Sequence, residues 1–201
     1  MFMRSIRSNK KRLAVAAAIP VAVVVSGALV WQSTYSAFSA TTQNPTNNWA
    51  SGTVALSDDD SNTAMFAAAN LKPGQTGQKC IAVTSTGTLP AAVKLYGTSY
   101  AQTKALGANL NLTVEEGTGA TFSSCTGFTP IASGSMIYTG TLDGFGTTKT
   151  NYASGAGVWT PTGSASETRV YRITYTLSNT TPDTSQGGTA QVGFTWESQN
   201  S

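Results

Sequence analysis

Histidine is missing from all 201 residues of the chain. Its absence removes the usual general base, the commonest zinc ligand, every HExxH metalloprotease site and every Ser-His-Asp triad. Charge is scarce too, at 10% of residues, with too little Glu, Lys and Leu for a helical protein. Apolar and aromatic content, at 40% and 9%, is nevertheless too high for a disordered chain. No GxxxxGK[ST] phosphate loop is present, and no SxxK spacing follows the first forty residues. With only two cysteines and no CxxC spacing, a redox pair or soft-metal site has little to build on.

Thr, Ser, Gly and Ala dominate instead. Thr, Val, Tyr and Trp favour strands, while Gly, Asn, Asp and Pro mark the turns between them. The composition therefore predicts an all-β protein.

The first forty residues carry the targeting information. Arg4, Arg7, Lys10, Lys11 and Arg12 form a positive head, Leu13 to Val30 an apolar run, and Thr34, Ser36 and Ala37 a small-residue exit. These are the three parts of a secretory signal peptide. The run is also close to the shortest spanning helix, about 17 residues, so a retained membrane anchor is the alternative. Either way the remainder is placed outside the cytoplasm. The formal charge of +3 is a product of this head: without it seven basic residues face nine acidic ones. No basic patch is left, which excludes nucleic acid as a partner.

In an oxidising compartment Cys80 and Cys125 read as one disulfide. Closing that loop contributes ~4 kcal/mol on the chain-entropy model.

Period-two patterning predicts strands over 49–57, 65–69, 78–85, 91–100, 110–116 and 136–142, with a short helical turn near 101–106. The clearest strands are the last two. Tyr171, Ile173, Tyr175 and Leu177 share one face of 169–177, and Val192, Phe194 and Trp196 one face of 191–197. Such alternation marks antiparallel strands with one buried face, which a second sheet must cover, giving a β-sandwich. The stretch 117–163 reads as loose apart from its one strand.

Candidate sites are few. Glu115 and Glu116 are adjacent and fall on opposite faces of a strand, so they cannot form one glycosidase-type pair. Asp58, Asp59 and Asp60 form a weak Ca²⁺ candidate without EF-hand spacing, and otherwise a solvated turn. Asn111-Leu112-Thr113 and Asn179-Thr180-Thr181 are sequons of a kind expected by chance in so Thr-rich a chain. Trp49 and Trp196 read as core. Trp159, beside Tyr152 in a Gly-rich stretch, is balanced between the core edge and a partner-binding surface.

The order of motifs adds a resemblance. Thr34-Tyr35-Ser36-Ala37-Phe38-Ser39 is followed by Trp49-Ala50-Ser51-Gly52-Thr53-Val54-Ala55-Leu56-Ser57, then by Asn70-Leu71-Lys72-Pro73-Gly74-Gln75 and Ser85-Thr86-Gly87-Thr88-Leu89-Pro90, and the chain closes on Val192-Gly193-Phe194-Thr195-Trp196-Glu197. This series resembles the TasA/camelysin (CalY) family of exported biofilm-matrix proteins, which a SipW-type signal peptidase processes. The resemblance implies a jelly-roll β-sandwich at the cell surface or in the matrix. It also implies cleavage between Ser36 and Ala37, although the small-residue rule equally allows Ser39/Ala40.

The resulting division is a signal peptide over 1–36, an extended segment over 37–48 and a β-sandwich over 49–201. In TasA-like proteins the freed segment inserts as a strand into the next subunit. Here that segment would use Ala37, Phe38, Thr41, Thr42 and Asn44, and it carries no charge. The partners implied are further copies of the chain, other matrix proteins and the signal peptidase, with membrane contact only during export or in a retained anchor. Camelysin-type members have been classed as metallopeptidases. A chain without histidine is expected to be no enzyme and to need no cofactor. The rival expectation is a monomeric adhesin or glycan-binding module.

Overall fold

A computed structural model describes residues 51–200. Its first strand is short: β1 (Leu56–Asp58) pairs antiparallel with β2 (Thr76–Ser85) at Ser85, Thr84 and Val83 only. β3 (Ala91–Gln102) follows, then a single helical turn, α1 (Leu106–Asn109), and β4 (Leu110–Thr118). β5 (Thr129–Pro130), β6 (Met136–Thr141), α2 (Leu142–Thr148) and β7 (Ala156–Trp159) occupy the middle stretch. β8 (Glu167–Leu177) and β9 (Ala190–Asn200) complete the chain.

The strands form two antiparallel sheets. The larger runs β1-β2-β8-β4-β5, with β6 also pairing β4; the smaller runs β7-β3-β9. Their facing sides share one apolar core, drawn from Ile81 and Val83 of β2, Val93 and Leu95 of β3, Leu112 and Val114 of β4, and Tyr171 and Ile173 of β8. The period-two faces read for β8 hold: Tyr171, Ile173 and Leu177 are buried, and Tyr175 is half-buried.

Two expectations are corrected. No strand forms over 65–69; Met65 instead drops into the core from an irregular connection, and Phe66 stacks edge-on against Tyr175 with centroids 5.1 Å apart. A short apolar run satisfies either geometry, and here packing decides. The helical turn lies over 106–109 rather than 101–106, because β3 continues through Gln102 to pair with Ala190.

The stretch 117–163 is more ordered than its composition predicts. α2 begins at Thr141, whose Oγ1 accepts from the Gly144 amide at 3.0 Å, and Asp143 stands in its first turn. Phe145 is fully buried from this helix, with Tyr138 at 5.0 Å and Phe194 at 5.6 Å between centroids. Gly146 packs where a Cβ would collide with the Tyr100 ring, so Gly is required for this helix to lie on β3. Asp143 also accepts from Tyr100 Oη at 2.9 Å and Gln102 Nε2 at 2.7 Å, which joins α2 to the end of β3.

Candidate functional site

The two sheets end differently at their edges. Along one side, β6 of the large sheet lies against β7 of the small one, and Ile137 packs over Gly157. On the opposite side the last strand of the small sheet is β9, eleven residues long, which among the described residues pairs only with β3. The inward side chains of its partner, Ala91, Val93 and Leu95, are buried to 3% exposure or less. Those of β9 itself (Val192, Phe194, Trp196 and Ser198) are all only half-buried. Trp196 packs on Tyr171 at 5.3 Å between centroids, yet its Nε1 and the Ser198 Oγ are buried without a hydrogen-bond partner. β9 is therefore a long edge whose inner face is incompletely covered, and such an edge is a template for a further strand.

The large sheet's edge is treated otherwise. β1 covers only three residues of β2. Immediately beyond it, Asp59 uses both carboxylate oxygens: Oδ1 accepts from the Ala82 amide at 2.8 Å and Oδ2 from the Phe122 amide at 2.7 Å. Phe122 belongs to the connection over 119–128, which the Cys80–Cys125 disulfide ties to β2. A small second core of Cys80, Ala120 and Val170 lies under it, flanked by Ala82, Cys125 and Phe128.

Charged groups sort by face, as the alternation of β4 requires. Glu115 points outward and accepts from Arg172 Nε at 2.8 Å, and the Arg172 guanidinium stacks over Phe128 at 4.3 Å. Glu116 points inward, 4% exposed, with Arg169 Nε at 3.0 Å. Burial pushes the Glu116 carboxyl up, and Arg169 opposes that shift. Thr162 donates to Glu167 from its side chain and its amide and holds that carboxyl below its ordinary value. Gln199 and Tyr96 do the same for Glu197.

Among the residues singled out from sequence, Cys80 and Cys125 are joined as a disulfide. Asp58, Asp59 and Asp60 do not converge on a cation site. Asp58 accepts from the Asp60 amide at 3.4 Å, Asp60 from the Asn62 amide at 2.7 Å, and Asp59 turns toward β2. Burial raises the Asp58 carboxyl first, and its contact with Asp60 adds to the shift. Trp159 is 3% exposed and lies in the core, so of its two readings the core holds and the partner surface is corrected: β7 pairs it beside Val93, and Arg169 covers its ring at 5.9 Å. Tyr152 is half-buried, donates to the Ala92 carbonyl at 2.9 Å and carries Lys94 over its ring. Trp49, the Ser36–Ala37 cleavage pair and the strand residues Ala37, Phe38, Thr41, Thr42 and Asn44 lie outside the described residues.

Two features escaped sequence reading. The Asp59 clamp is one member of an acidic triplet, and nothing in the triplet distinguishes it. The open β9 edge was hidden because alternation tells which face is buried and not which neighbour is missing.

The family model for camelysin metallo-endopeptidase matches residues 8–123. The chain belongs to this TasA-related camelysin family. No curated protein matches the chain.

The family's description implies a metal, and the donor set of this camelysin-family chain does not fit one. It has no histidine, and both cysteine sulfurs are spent in the disulfide. Its remaining acids are likewise engaged, Asp143 by Tyr100 and Gln102 and Asp183 by Gln186 Nε2. No group of three or more His, Cys, Asp or Glu gathers among the described residues.

Proposed function

We propose that this chain is a secreted, non-enzymatic structural protein of the cell surface or biofilm matrix, which assembles by strand exchange. The observation that carries the reading is β9: an eleven-residue edge, paired on one side among the described residues, with half-covered apolar side chains along its inner face. The donor is the uncharged segment 37–48 of a neighbouring copy, freed by cleavage at Ser36/Ala37 and added beside β9 in a jelly-roll sandwich. Backbone pairing supplies the affinity in such β-augmentation, and the alternate side chains supply register. Family membership supports export at the coarse level.

The test compares the chain beginning at Ala37 with the same chain lacking 37–48, by light scattering and negative-stain microscopy. Filaments from the first and a folded monomer from the second are the expected result. Polymerisation unchanged by the deletion overturns the strand-exchange mechanism. Chelator-sensitive casein hydrolysis by the purified chain overturns the non-enzymatic reading.

A further inference from the structure

The disulfide connection is built to cover an edge. Gly119 and Gly127, both at φ +83°, face each other where their backbones approach too closely for any Cβ, and so form the neck of a closed loop. From β4 the loop crosses the outer face of the large sheet above Val170 of β8, reaches β2 at Cys80, and turns its tip to the sheet's rim. There Phe122 packs against the main core, Lys79 Nζ sits 5.1 Å above its ring, and its amide is held by Asp59.

The Ala82 amide points off this rim into Asp59. In an antiparallel ladder such groups alternate, so the amides of Cys80 and Gln78 point the same way. The ring of interactions from Asp59 through Phe122 to Cys125 thus closes this rim at Cys80 and Ala82, directly beyond the residues that β1 pairs.

We infer that the loop over 119–128 is an edge guard locked by Cys80–Cys125, and that opening the disulfide frees the rim at Cys80–Ala82, so that β2 pairs edge to edge with a second copy of this chain through the outward amides of Gln78, Cys80 and Ala82. In the oxidised protein β9 is then the one long edge on offer among the described residues, and assembly through it is directional. The opening step is exchange with an external dithiol. The Sγ–Sγ bond breaks, two thiols form, and the dithiol gives up two electrons and two protons as it becomes a disulfide. Backbone is the ligand here, so the partner needs only another unpaired strand edge.

The test uses the exported, oxidised protein, followed by hydrogen exchange before and after treatment with a dithiol. Exchange at the Ala82 and Phe122 amides, both held by Asp59, is expected to rise at least tenfold while Gly77, Lys79 and Ile81, which bond to β8, stay protected together with β4 and β8. Unchanged protection at Ala82 and Phe122 overturns the proposal. So does loss of protection throughout both sheets, which would make the disulfide a staple of the whole fold. Sedimentation then reads the association: the reduced protein is expected to gain larger species, and Gln78→Pro to suppress them while leaving assembly of the oxidised protein unchanged. Proline at this position removes an outward amide and no ladder bond. Reduced protein whose added association survives Gln78→Pro overturns the assignment to β2. The hydrogen-exchange outcomes do not depend on segment 37–48, so this proposal and strand exchange fail separately.

Discussion

Glu116 and Arg169 approach to 3.0 Å between the two sheets, yet Arg169 Nε directs no hydrogen bond at the carboxylate. The pair is held by charge alone, with Tyr171 and the Trp159 ring as neighbours. Burial dominates and raises the Glu116 carboxyl above its ordinary value. An acid raised on folding binds more protons in the folded state, so its contribution is complete below the unfolded pKa and declines as pH rises through the folded one. The difference in unfolding free energy between the native chain and Glu116→Gln is therefore expected to shift against the native chain from about pH 4 upward. Urea titrations at several pH values measure it; a difference that is flat with pH refutes the assignment.

Glu167 and Glu197 act with the opposite sign. Both are held below the ordinary carboxylate range by hydrogen bonds, so what they contribute is present at neutral pH and lost as acid protonates them. Thr162→Val should move the Glu167 carboxyl resonance titration upward toward its ordinary value. A titration that does not move would show that Thr162 is not the cause.

Trp159 separates a core role from a binding role. Buried at 3% exposure, it is expected on replacement by Ala to lose about 3–5 kcal/mol of stability. Trp159→Phe should recover a large part of that loss. Saturable glycan binding that disappears in Trp159→Phe, with stability intact, would restore the partner-surface reading.

Removing the covalent tie has its own magnitude. Cys80→Ser with Cys125→Ser is expected to lower unfolding free energy by about 4 kcal/mol, since the bridge closes a separation of 45 residues. Denaturant midpoints and slopes together check this, the slope being expected to rise because the uncrosslinked unfolded chain exposes more surface. A loss below about 1 kcal/mol would indicate that packing of Phe122 and Phe128 holds the loop without the bond.

Asp59 is the least conspicuous strong contact. Asp59→Asn keeps the shape but replaces one acceptor oxygen by a donor facing an amide. It should cost about 1 kcal/mol, more than the same change at Asp183: both carboxylates are exposed, but Asp59 bridges two backbone amides from distant segments while Asp183 accepts from the Gln186 side chain. Equal effects at both positions would refute the clamp.

Much of the sandwich was legible because alternation is a local property. Val192, Phe194 and Trp196 sit two residues apart, and a strand puts them on one face whatever surrounds it. The same rule separated Glu115 from Glu116, and the structure gives each its own arginine on its own side of the sheet. The middle stretch was less legible. The helix over 142–148 has one good helix former, Leu142, against two glycines, two threonines and Phe145, and it exists because Phe145 fills the space between Tyr138 and Phe194.

By itself the sequence determined the β class, the absence of a histidine site, the cysteine pair and the inward faces of the last two strands. These follow from composition and from a period of two residues, which no distant contact can alter. Only the tertiary structure decided that Trp159 is core, that Asp59 joins β2 to a loop 63 residues away, and that β9 is the edge left half-covered. Each of these depends on which strand lies beside which, and strand order is set by long-range packing that a local pattern does not encode.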